Sequence, residues 1–156
     1  MKTISYIAQT KENGYSCCHL ITLLNAHRFW SLPTISPSDP EWEDWVDIYR
    51  CRHGAVIPVE CMYADLQICW KSLSLEKSCT VDQLPIMVSH FDRLAGFHSS
   101  LVVDIDKDNW TIVNRSGWRG PLIQIVNRNE LDIYKKDTIK PGGLVSLFYR
   151  AGRGEK

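Results

Sequence analysis

The apolar residues of this chain recur at two different periods, and the change from one to the other divides it. From Cys17 to about Trp30, Leu20, Leu23, Leu24 and Ala26, joined by Ile21, repeat at helical spacing. A stripe this broad predicts a helix lying deep in the domain. Gly14 and Ser16 supply a turn and an N-cap ahead of it, and residues 5–8 read as a lead-in that brings Gln9 to the start of the helix. Ser36-Pro-Ser-Asp-Pro40 announces a second helix, with Asp39 as cap and Pro40 in the first helical position. Trp42, Trp45, Val46 and Tyr49 share its face to about Cys51, and Gly54 ends it. A third helix is predicted from about Val59 to Trp70, on Met62, Leu66 and Cys69 with Tyr63 alongside.

After Leu84 the runs shorten and become rich in branched and aromatic residues. Pro85 to Phe91, His98 to Asp106, Asn109 to Asn114, Leu122 to Val126 and Leu144 to Arg150 are separated by Gly, Asp or Asn turns, the pattern of antiparallel strands. Helices first and strands afterwards predict an α+β domain rather than an alternating parallel fold. A chain of 156 residues makes one domain, with a helical part over about 15–84 and a sheet part over about 85–150.

At 44% hydrophobic and 23% charged, the composition is that of a folded globule, not a disordered chain. Eighteen basic and eighteen acidic residues cancel, so no global field gathers nucleic acid or an anionic membrane, and neither is expected as a partner. No stretch has the length and apolarity of a signal peptide or a membrane span. The expected location is the cytosol, with most of the six cysteines as thiols in or near the core.

The chemistry-bearing residues form a constellation. Gln9 and Cys17 stand at one end of the chain; His98 opens an apolar strand, and Asn114 closes the next one sixteen residues later. A thiol at a helix N-terminus is acidified by the helix dipole, and an imidazole can take its proton. An amide such as Asn114 can orient that imidazole, and the Gln9 amide with a main-chain N–H can hold an oxyanion. Each residue also has a plain structural use: Cys17 and Cys18 as small core hydrophobes, His98 as a satisfied edge histidine, and Asn114 as a turn residue. Cys51, His53, Cys61 and Cys69 lack the paired Cys-x-x-Cys spacing of a zinc site, and there is no glycine-rich phosphate loop. Trp30 to Trp45 is read as core or groove wall.

In the order Gln9, Cys17, His98, Asn114, and in His98-Ser-Ser-Leu-Val-Val with Ile112-Val-Asn-Arg-Ser-Gly-Trp-Arg-Gly120, the chain resembles the papain-like cysteine peptidases. By size it resembles their compact bacterial and phage members, such as the domains that cleave double-glycine leader peptides, which share a Pro-led strand before the His strand (here Pro85-Ile-Met-Val88) and a final strand after Gly (here Gly142-Gly-Leu-Val-Ser-Leu-Phe148). The resemblance covers most of the chain apart from about residues 31–80. It implies a cysteine-nucleophile hydrolase cleaving an amide bond in a peptide or protein, with Cys17 as nucleophile, His98 as base, Asn114 as orienting group, Gln9 at the oxyanion, and no cofactor. The same machinery supports transamidation and deamidation. Two departures stand out: Ser16-Cys17-Cys18 replaces the Asp-Cys-Gly of the small members, and the interval from Gln9 to Cys17 is two residues longer than theirs. These features point to an alternative, a catalytically silent papain-like domain that binds a peptide or protein. Matching to the leader-peptide group would put Arg115 in the place of Asn114.

Overall fold

The leucine spacing is realised in α1, Cys18–Phe29, in a computed structural model that describes residues 4–11, 18–32, 34–44, 68–73, 81–94, 96–133 and 145–150. Every residue from Leu20 to His27 is buried, so the helix is enclosed all round rather than along one stripe. Its buried polar side chains therefore need partners inside the protein. Thr22 Oγ1 donates to the Ser99 carbonyl at 3.3 Å, and Asn25 accepts from the Ile7 N–H at 2.7 Å while donating to the Ile7 carbonyl at 3.0 Å. The helix ends by geometry: Ser31 takes a left-handed φ of 57°, its N–H bonds the Arg28 carbonyl, and the Leu32 N–H bonds the His27 carbonyl. These two bonds make a Schellman closure with serine in the position glycine usually takes.

The sheet contains β1 (Ile68–Leu73), β2 (Ile86–Asp92), β3 (Gly96–Asp106), β4 (Asn109–Val113), β5 (Ile123–Asn127), β6 (Asp132–Ile133) and β7 (Val145–Arg150). Its order is β1-β7-β2-β3-β4-β5, and β6 pairs with β2. All pairings are antiparallel. Because β5 leads into β6, and β6 returns to β2, the strands from β2 to β5 curl toward a half-barrel. The class is α+β, with an antiparallel sheet in which β2 to β5 and β7 fall in segments that the turn spacing marks as strands, while β1 and β6 do not.

One expectation is overturned. Ile68, Cys69 and Trp70, assigned by spacing to a third helix, belong to β1, so the division into helices up to about residue 84 and strands afterwards fails there. Ile68-Cys-Trp-Lys-Ser-Leu73 pairs over six residues with β7, and a distant strand supplies the ladder that local sequence cannot reveal. The part of that helix before Ile68, and the second helix beyond Asp44, lie outside the described residues. Asp39, expected as an N-cap, instead accepts from the Ser36 N–H at 2.7 Å through its carboxylate and from the Trp42 N–H at 3.0 Å through its carbonyl.

Strand alternation sorts the core into two groups. Met87, Leu101 and Val113 pack with Ile7, Trp42 and the apolar residues of α1 on one face. Ile86, Val88, Val102, Trp110, Ile112 and Val126 pack together on the other, inside the curl, with Leu131 and Ile133 closing it. Among the described residues no helix is long and apolar enough to cross a membrane.

The amide of Asn25 is the described tie between α1 and the Ile7 main chain. Asn25→Ala removes it and leaves the buried Ile7 N–H without that acceptor, so it should cost about 2 kcal/mol, read as a lower urea midpoint with an unchanged denaturant slope.

Candidate functional site

His98 is the third residue of β3 and lies opposite His90 of β2. Both share the alternation of Ile86, Val88 and Val102, so their rings face the interior of the curl, away from the face that carries α1. The rings meet edge to face, with centroids 5.8 Å apart. His90 is 0% exposed and His98 3%, so each imidazole must find partners within the fold.

The partners converge on one main-chain carbonyl. His98 Nε2 lies 2.7 Å from the Asn114 carbonyl oxygen. A carbonyl only accepts, so Nε2 carries the proton and the neutral ring keeps its lone pair on Nδ1. Ser100 Oγ, 3.5 Å from the same oxygen, donates toward it, and the Gly117 N–H donates to it at 3.1 Å. Ser100 Oγ is in turn 2.8 Å from His90 Nε2. Either of those two atoms can be the donor, and the buried His90 Nδ1 makes no well-formed hydrogen bond.

The side chain of Asn114 does different work from the one expected of it. Its Nδ2 donates to the Ile7 carbonyl at 2.9 Å and its Oδ1 accepts from the Gln9 N–H at 3.0 Å. The amide thus pairs with the lead-in segment as a neighbouring strand would. Asn114 has a φ of 58°, a left-handed conformation that asparagine tolerates better than most residues; it ends β4 and turns the carbonyl toward His98. Orientation of His98 comes from the main chain at the expected position, and the expected side-chain contact is replaced by the anchoring of residues 7–9.

Gln9 is buried at 6% exposure. Its side-chain amide lies along Gly117, where an added Cβ would come within 3.5 Å of it. The structure therefore brings Gln9, His98 and Asn114 into one cluster from three distant parts of the chain. Cys17 lies outside the described residues; Cys18 begins α1 and is half-buried. Trp118 is half-buried and carries the Arg119 guanidinium 5.3 Å from its ring centre. The His98 contact is shielded by the burial of His98 and Asn114 themselves.

His90, Ser100, Asp92 and Ser116 were not singled out by sequence. Asp92, buried at the end of β2, accepts from Ser116 Oγ at 3.1 Å and from the Leu94 N–H at 2.9 Å. Arg115 Nε stands 3.7 Å from its carboxylate. The signal for His90 was present: a short turn between Phe91 and Phe97 sets the β2–β3 register, and that register places His90 against His98. Compared with known proteins, the chain matches no family model and no curated protein.

Burial holds the His90 pKa below its usual 6.5, and Arg115 adds to the effect; the Phe91 main chain, Asp92 and Asp132 oppose it. The folded protein therefore resists a proton that the unfolded chain accepts near pH 6.5. Stability from this source is complete above about pH 6.5 and declines as the pH falls below it. Urea midpoints followed from neutral pH to about pH 5 should show that decline in the native protein and a flatter profile in His90→Gln.

Proposed function

We propose that the chain is a papain-like thiol hydrolase cleaving an amide bond in a peptide or protein. The observation that carries this reading is the 2.7 Å bond from His98 Nε2 to the Asn114 carbonyl, because it fixes the tautomer a cysteine nucleophile requires. With Nε2 protonated, Nδ1 is the basic nitrogen, and in this reading it takes the thiol proton of Cys17 and returns it to the leaving amine. Cys17 attacks the carbonyl carbon, the carbon–nitrogen bond breaks as the amine is protonated, and water then releases the acyl group. The Gln9 amide, held beside Gly117, donates to the oxyanion of the tetrahedral intermediate.

The second reading is a silent papain-like domain that binds a peptide or protein. It is favoured by the full engagement of the Asn114 amide with residues 7 and 9 and by the 3% exposure of His98. A thiol-reactive probe at neutral pH separates the two. The hydrolase labels selectively at Cys17, loses that labelling in His98→Ala, and keeps its activity in Cys18→Ser but not in Cys17→Ser. Equal labelling of Cys17 with and without His98 supports the silent domain.

Asn114→Ala should now lower both stability and turnover. The amide anchors residues 7–9 while the carbonyl that orients His98 remains, so the stability loss is about 2 kcal/mol or more. If turnover falls with no change in the urea midpoint, the anchoring role is wrong.

A further inference from the structure

At the open end of the curl, where β2 and β4 finish and β6 returns to β2, lies a cavity of about 540 Å³. It falls within the size range of small-molecule sites. Two cations and three acids stand on its lining, and the one ion pair among them is the 3.7 Å contact of Arg115 with Asp92. Arg93 comes from the turn after β2 and Arg115 from the end of β4; Glu130 and Asp132 come from the segment that closes the curl onto β2.

Arg115 has the most to gain from a ligand. Its side chain is 27% exposed, and its one ion pair among the described residues is the 3.7 Å contact between Nε and Asp92. Asp92 is already engaged through both oxygens, by Ser116 Oγ and the Leu94 N–H. Arg115 lines the cavity, its buried Nε makes no hydrogen bond, and its planar donors suit a carboxylate in a two-bond pairing. Glu130 and Asp132 are exposed and form no ion pair among the described residues. Phe91 and Leu94, each 49% exposed, add apolar surface to the same rim.

Opposite charges that share a cavity with one long ion pair among them are best satisfied by a molecule carrying both signs. We propose that this cavity binds a small zwitterion of the amino-acid or dipeptide class, its carboxylate on Arg115 with Arg93 beside it, its ammonium toward Glu130 and Asp132, and its aliphatic part against Phe91 and Leu94. The proposal stands whether or not Cys17 is a nucleophile.

The test is a titration of the full-length chain, and of its Cys17→Ser variant, with L-alanyl-L-alanine, followed by amide chemical shifts of residues 91–94, 115–116 and 130–132. Saturable shifts are expected in both proteins. Acetylating the dipeptide amine or amidating its carboxylate should each weaken binding about tenfold, the scale of one charge-assisted hydrogen bond. Arg115→Met should remove the preference for a free carboxylate, and Asp132→Asn with Glu130→Gln should remove the preference for a free amine. Glu130 and Asp132 are exposed, whereas Arg115→Met removes the cation beside the buried Asp92, so the fold of each variant is checked by the unshifted remainder of its spectrum. Absence of saturable shifts at these residues, or affinity indifferent to blocking either charge, overturns the proposal. Binding in the native chain that vanishes in Cys17→Ser would tie the ligand to the thiol site and overturn it as well.

Discussion

A single asparagine at the end of β4 holds together three segments that are far apart in sequence. The Asn114 amide offers one donor and one acceptor on the same planar group, which is what a main chain needs from a partner strand. It gives both to Ile7 and Gln9, while its carbonyl collects His98, Ser100 and Gly117. An aspartate could not donate to Ile7, and a leucine could do neither. The buried lead-in is thereby satisfied without a regular strand, and Asn25 of α1 completes the arrangement from the other side.

The interior of the curl is divided by depth. Ile86, Val88, Val102, Trp110 and Ile112 make its apolar floor, and the same strands carry His90, His98 and Ser100 toward the open end. Polar groups this deep destabilise a fold unless they are bonded, and the chain His90–Ser100–Asn114 carbonyl–His98 provides most of that bonding. One ring nitrogen of His90 is left over. A rigid histidine pair beneath a charged cavity is a costly arrangement for a purely structural element, since apolar residues would fill the same space more stably.

The charged rim lies where the curl closes. β6 adds only two residues to β2, and its Asp132, with the neighbouring Glu130, stays exposed on the cavity that Arg93 and Arg115 also line. The Arg115–Asp92 contact is long at 3.7 Å.

Sequence alone determined the elements whose pattern is local. The leucines of α1 specify a helix by their spacing, and the strands after Leu84 announce themselves through branched residues and turn punctuation. It also picked out Gln9, His98 and Asn114, which the fold does bring together. Tertiary structure decided the rest. Ile68–Leu73 became a strand because β7, more than seventy residues away, offered a ladder, and no local period records such a partner. The atom that orients His98 is a carbonyl rather than an amide, because a left-handed φ at Asn114 turned the main chain inward while the side chain met the lead-in. Side-chain type predicts which groups can bond; backbone direction, fixed only when distant segments pack, decides which of them do.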